Sequence, residues 1–146
     1  MAQHLYRKQH IVTSVVAAIL DQAGRILLTR RAVKPFADLW VMPGGKIGLG
    51  EPILSALHRE VREEVGIDVK VEALIDVFEH LSPGEENDHH VILYYRCHPS
   101  RAEVTPNPAE VAEARWVSRA ELPGYAMPEG TRHVLGRLFP ELGGTA

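Results

Sequence analysis

The sequence is short of several features that mark whole classes of protein. A single cysteine, Cys97, in 146 residues excludes an internal disulfide and gives no support for an oxidising compartment. Excess positive charge is absent: 16 Lys and Arg stand against 19 Asp and Glu, for a formal net charge of −3. Non-specific binding to a nucleic-acid polymer draws on surplus Lys and Arg to displace counterions, so no such partner is expected. A nucleotide-sized anion stays open, because a bound metal can neutralise it locally. No repeat or low-complexity segment occurs, and no apolar run approaches the ~20 residues of a membrane span.

What is present is an ordinary globular composition, 45% hydrophobic, 24% charged and 6% aromatic. It argues against disorder, collagen-like repeats and coiled coil. The length implies one domain over residues 1–146, large enough to bury a core. Arg7 and Lys8 before the apolar run Ile11 to Leu20 imitate the start of a signal peptide. No small-x-small cleavage site follows. Asp21-Gln22-Ala23-Gly24 follows instead, a turn signal leading to a second apolar run, and the pair reads as a β-hairpin. A cytoplasmic protein without a membrane partner is the expectation.

Further along, Leu39 to Met42 reads as a short strand that stops at Pro43-Gly44-Gly45, and Lys46 to Gly50 as a glycine-rich loop. Between Pro52 and Val65 the period becomes helical, with Leu54, Leu57, Val61 and Val65 building one apolar face. Pro52 suits the first turn and Gly66 the C-terminal stop. Strands are predicted over Ile67 to Phe78, Val91 to Cys97 and Glu113 to Val117. The three prolines of Pro99 to Pro108 mark a surface connection, Ser118 caps a short turn toward Leu122, and Gly130 to Phe139 reads as a closing helix. Strands interrupted by one helix and closed by another suggest an α/β fold, a mixed sheet between helices.

The stretch richest in chemistry is Gly45 to Ile67. Glu60 and Glu64 lie four apart, nearly in line and separated by ~6 Å of rise, with Glu63 flanking them. Like charges so placed cost a helix about 0.2–0.5 kcal/mol per pair. A hard divalent cation such as Mg²⁺ or Mn²⁺, which prefers oxygen ligands, reverses that cost. Arg59 can pair with Glu63 one turn on, or reach back to Glu51 and fix a carboxylate. Gly44 and Gly45 permit close backbone approach, where a carbonyl could add one more metal oxygen.

These positions match G-x5-E-x7-R-E-U-x-E-E-x-G-U in full, with U aliphatic, across 23 residues from Gly45 to Ile67. The chance of these letters is on the order of 10⁻⁹ per starting position. The pattern resembles the signature of the Nudix hydrolases. The approach Leu39 to Gly45, and Glu113-Ala114-Arg115-Trp116-Val117 with Glu121-Leu122, are similar to the family more loosely. The resemblance implies an α/β/α sandwich and metal-dependent cleavage of a nucleoside diphosphate linked to another group. By position, it implies Glu60 and Glu64 as main metal ligands, with Glu63 as a further ligand or as the group that orients or deprotonates water. It also implies the Gly44 carbonyl as an extra ligand, and Arg59 with Glu51 as the supporting pair.

Weaker signals lie outside the motif. Glu110 and Glu113 are candidates for the extra carboxylate that some relatives recruit, Glu110 being favoured because it lies in the loop proper. His80, His89, His90, Cys97 and His98 cluster in sequence, but adjacent strand residues face opposite ways and zinc prefers gapped spacings, so no structural zinc is expected. One of these histidines is a candidate for the substrate cleft. Trp40, Tyr94 and Tyr95 are candidates to stack on a base, and Arg30, Arg31 and Lys34 to meet phosphates. Ser82-Pro83-Gly84 resembles the proline-bearing loop of relatives that cleave ADP-ribose. The compact length instead looks like the smaller members, which act on nucleoside triphosphates. A small-molecule nucleotide is therefore the expected substrate, triphosphates favoured over ADP-ribose or another nucleotide sugar. A non-catalytic nucleotide-binding module and a prenyl diphosphate isomerase are competing classes, the latter needing a cysteine in the cleft. A homodimer is the commonest oligomer to expect.

Overall fold

The apolar run of β1 (Ile11–Ile19) has no polar face to turn toward water, and the fold uses both faces. Val15, Ala17 and Ile19 enter one buried cluster, while Ala18 and Leu20 enter another. The same division splits β2 (Ile26–Arg31): Leu27 joins the first cluster, Ile26 and Leu28 the second. A computed structural model describes residues 10–34, 36–82 and 88–140. Arg7, Lys8 and the Pro83-Gly84 turn lie outside the described residues.

Among the described residues, seven strands form two sheets. β4 (Gly44–Lys46), β1, β6 (Asp88–Pro99) and β5 (Val69–Ser82) make one, in that order. β3 (Trp40–Val41), β2 and β7 (Val111–Val117) make the other. β1 and β6 run parallel and the other pairings are antiparallel, so the sheet is mixed. Helix α1 (Ile53–Val65) covers the cluster of Val15 and Leu27, and α2 (Glu129–Leu138) covers that of Leu28 and Tyr94. The result is the expected α/β/α sandwich.

Several local readings need correction. The predicted hairpin is no ladder: β1 and β2 share one isolated bridge, Leu20 to Ile26, and then diverge into different sheets. The turn itself forms as its residues dictate, the Asp21 carboxylate accepting the N–H groups of Ala23 and Arg25 at 3.0 and 2.8 Å. The chain does not stop pairing at Pro43-Gly44-Gly45 either. β4 begins at Gly44 and pairs with β1, where a Cβ on Gly44 would overlap the Val15 carbonyl oxygen. On α1, Leu54 is 42% exposed and Ala56 takes its expected place in the core. Gly66 ends the helix in the left-handed conformation, φ 69°, as expected.

The proline-rich connection does more than cross the surface. Thr105 and Asn107 donate their N–H groups to the carbonyls of Val65 and Glu64, at 2.8 and 2.9 Å. They thereby satisfy the open end of α1 and carry the following loop back toward the acidic face. Among the described residues, no helix is long and apolar enough to cross a membrane.

Cys97 is fully buried against α1, and that burial pushes its thiol up to about 12. We therefore expect thiol reagents at mildly alkaline pH to label the native protein far more slowly than the urea-unfolded chain, read by mass spectrometry. Equal labelling rates would show that the α1 face is open.

Candidate active site

The acidic face of α1 is organised by one guanidinium. Arg59 Nε and Nη2 donate to the two Glu51 oxygens at 2.7 and 3.0 Å, a bidentate pair. Nη2 also donates to the Lys46 carbonyl at 3.1 Å, which ties the helix to β4. Nη1 donates to Glu60 Oε1 at 2.9 Å and to Glu63 Oε2 at 3.3 Å. Sequence reasoning offered Glu63 or Glu51 as the partner, and the structure uses both. The loop ahead of the helix closes on the same group, because the Gly48 N–H donates to Glu51 at 2.9 Å. These contacts, Arg59 foremost, hold the Glu51 carboxyl down at about 2, and push the Arg59 pKa above its ordinary value.

Glu60 lies against β4 so closely that a Cβ on Gly45 would overlap its carboxyl carbon. Glu64 is deeper, 7% exposed, and its carboxylate accepts the Gly44 N–H. Burial, followed by the proximity of Glu60 and then of Glu110, raises the Glu64 pKa well above the usual carboxylate range. The structure thus sets Glu60 and Glu64 side by side, with Glu110 near enough to act on Glu64 electrostatically and Glu63 on the exposed side of the same helix. Among the described residues, no group of three or more acidic, His or Cys side chains is already gathered as a metal cage. Glu60 and Glu63 are instead held on Arg59. The donor set nevertheless fits a hard divalent cation: it is all oxygen, and one guanidinium serves three carboxylates while a fourth lies buried beside them.

Next to this face is a cavity of about 300 Å³ that Gly44, Gly45 and Lys46 help to line. Arg31, Tyr94, His80 and His90 also line it, so two of the four clustered histidines reach the cleft. Tyr94 is buried, with its hydroxyl against Thr131, and burial pushes its pKa up to about 12. Other candidates lie elsewhere. Trp40 is 9% exposed, edge-on to Tyr125 at 5.1 Å, and is not among the lining residues. Arg30 is engaged by Asp38 at 3.2 Å and Glu113 at 3.6 Å, and Arg115 also pairs with Glu113 at 2.6 Å. Lys34 is exposed and does not line the cavity, while Tyr95 joins the α1 side of the sheet. His89 meets Glu79 at 2.6 Å, and His98 meets Glu72 at 3.0 Å. Sequence reasoning missed Phe36, Phe78, Glu129 and Thr131, all of which line the cavity. They come from three distant segments, and no local pattern announces them.

A sandwich with glutamates of one helix pressed against a glycine strand beside a cavity is the architecture of a phosphate-handling enzyme. The NUDIX domain family model matches residues 10–142, and the chain belongs to the Nudix hydrolase family. The crystal structure of a MutT Nudix hydrolase from Burkholderia pseudomallei superposes with a TM-score of 0.81 at 30% identity, covering 89% of this chain and 99% of that one. An m7GpppN-mRNA hydrolase of Danio rerio is 34% identical over 120 residues, 70% of this chain and 40% of the relative. An ADP-ribose pyrophosphatase of Methanocaldococcus jannaschii is 36% identical over 77 residues, 53% of this chain and 44% of the relative. The chain therefore spans less than half the length of both these relatives.

The Glu51 shift has a defined sign. A carboxylate with a lowered folded-state pKa contributes stability that is present above its ordinary value of 4.5 and lost as pH falls through about 2. The melting-temperature gap between native protein and Glu51→Gln is expected to be constant around neutral pH and to close across that acidic window. A gap that persists unchanged at the acid end would mean the Arg59 pair does not carry it.

Proposed function

We propose that this chain uses bound Mg²⁺ or Mn²⁺ to hydrolyse the pyrophosphate linkage of a nucleoside diphosphate joined to another moiety. Within that class we read it as a nucleoside triphosphate pyrophosphohydrolase. The observation that carries the proposal is the convergence of Glu60 and Glu64 on the Gly44–Gly45 backbone, which also lines the cavity.

In this reading Glu60 and Glu64 hold the cation, with Glu63 and the Gly44 carbonyl oxygen as further ligands and Glu110 as the extra carboxylate. A divalent cation bound there lowers the pKa of water and offsets charge on the phosphate oxygens. Glu63 is the most exposed of the three helix carboxylates, at 49%. Its alternative role, in place of a ligand's, is to orient or deprotonate the attacking water. Arg59 keeps Glu60 and Glu63 aimed, and Glu51 fixes Arg59 in turn. The bond from water oxygen to phosphorus forms as the bridging bond breaks, and the departing phosphate takes the electron pair. No nucleophilic side chain is required.

ADP-ribose or another nucleotide sugar is the second reading, favoured by the name of the Methanocaldococcus relative. A small nucleotide suits a net charge of −3 better than the capped mRNA named for the Danio relative. A module that binds without catalysis has no need to keep Glu60, Glu63 and Glu64 together, and all three are present. An isomerase needs a cysteine in the cleft, whereas Cys97 is buried on the α1 side. We further read residues 1–146 as a single cytoplasmic Nudix domain, with a homodimer as its assembly.

Glu64→Gln is expected to abolish release of phosphate or pyrophosphate from a nucleotide panel with Mg²⁺, while a thermal melt shows the fold intact. Near-normal turnover in that variant would refute the assignment.

A further inference from the structure

We propose that the cavity seats the base of the substrate, that Phe36 is the aromatic ring that stacks on it, and that Glu129 reads a guanine-type edge. This rests on the pyrophosphohydrolase reading and names the base it takes.

Phe36 has φ 65°, in the left-handed region, and Asp38 has φ 68°. A bulky residue adopts that conformation at a cost in free energy, so its surroundings must impose it. Here they do: the Asp38 N–H donates to the Arg31 carbonyl at 2.9 Å, the Leu39 N–H to the Phe36 carbonyl at 3.0 Å, and Arg30 to the Asp38 carboxylate at 3.2 Å. Phe36 so held is 46% exposed as a residue, yet it lines the cavity. Burial does not repay the strain until something fills the space beside it.

Phe78 supplies a second aromatic surface, packed closely against α2. Gly130, at the start of α2, sits so close that an added Cβ would lie 3.1 Å from the Phe78 ring. Val16, Met42 and Ile92 complete the apolar wall. A flat heterocycle suits these surfaces, whereas a pentose has no comparable π-face. At about 300 Å³ the cavity is at the small end of ligand sites, with space for one base.

Polarity within the lining selects among bases. Among the described residues that line the cavity, Glu129 is the carboxylate, and an ionised carboxylate only accepts hydrogen bonds. Guanine presents adjacent N1–H and N2–H donors on one edge. Adenine pairs its amino group with an acceptor nitrogen there, which a carboxylate opposes. A prenyl chain would fill the apolar wall but offer nothing to Glu129, His80 or His90. Because Gly44 and Gly45 belong to both cavity and carboxylate face, a base seated here leaves its phosphates beside Glu60 and Glu64.

The test is titration calorimetry of GMP, AMP and isopentenyl diphosphate on the full chain and on Phe36→Gly, Phe36→Tyr and Glu129→Gln. Hydrolysis of guanosine and inosine triphosphates is followed beside it. Phe36→Gly suits the backbone conformation, so it removes the ring without adding strain. We expect the native chain to prefer GMP, and Phe36→Gly to weaken GMP about tenfold. The KM for guanosine triphosphate should rise by a similar factor with kcat within about twofold, and Phe36→Tyr should restore both. Glu129→Gln should erase the preference for guanosine over inosine triphosphate, which lacks the 2-amino group. Unchanged GMP affinity in Phe36→Gly, equal GMP and AMP binding by the native chain, or tighter binding of isopentenyl diphosphate would each overturn the proposal. Ring-dependent GMP binding without any nucleotide turnover would instead sink the hydrolase reading and leave the pocket assignment standing.

Discussion

Arg59 is the constraint on which the arrangement of the acidic face depends. Its guanidinium meets Glu51, Glu60, Glu63 and the Lys46 carbonyl at once, joining loop, helix and strand through one planar group. A lysine, with a compact point charge, could not reproduce this fork geometry. The electrostatic logic is uneven by construction. The carboxylates nearest the guanidinium are compensated, whereas Glu64 lies beyond its reach, buried beside Glu60 and repelled by the Glu110 charge. The face is therefore short of positive charge at its deepest point, where a cation would be most strongly complementary.

β4 couples this face to the cavity. Gly44 can pair against β1 because it has no side chain to meet the Val15 carbonyl, and Gly45 leaves space for the Glu60 carboxyl. The same three residues that pair with β1 contribute to the cavity wall. A shift in strand register here would displace carboxylate support and cavity lining together, because successive residues alternate faces. The short strand thus transmits the precision of the sheet to both halves of the site.

What could be read from the sequence was local. Helix α1, its glycine stop and its row of carboxylates follow from spacing within a few turns, and the pairing of Arg59 with Glu51 and Glu63 follows from the same arithmetic. The hairpin reading failed because a turn signal reports chain reversal and not ladder formation: the strands on either side of Asp21 enter different sheets. Trp40 carried a stacking expectation on its chemistry alone, and tertiary packing gave it Tyr125 as a neighbour. Phe36, Phe78 and Glu129 were illegible for a related reason. Each belongs to a separate segment, and only the closed sandwich brings them to one cavity. The loop that binds the end of α1 was likewise hidden, because prolines announce a connection without saying what it touches.

The parallel pairing of β1 with β6 has a consequence for how the molecule is made. Residue 11 aligns with residue 89, and residue 19 with residue 97, so this central ladder joins distant parts of the chain. During synthesis the first strand leaves the ribosome with both faces apolar and its neighbour not yet translated. Loop-closure entropy must be met before this ladder forms, which slows assembly relative to local structure. In that interval an unpaired, two-faced strand is a template for aggregation. The nascent chain's vulnerability to misassociation is thus concentrated in a segment whose second half is, once folded, largely buried.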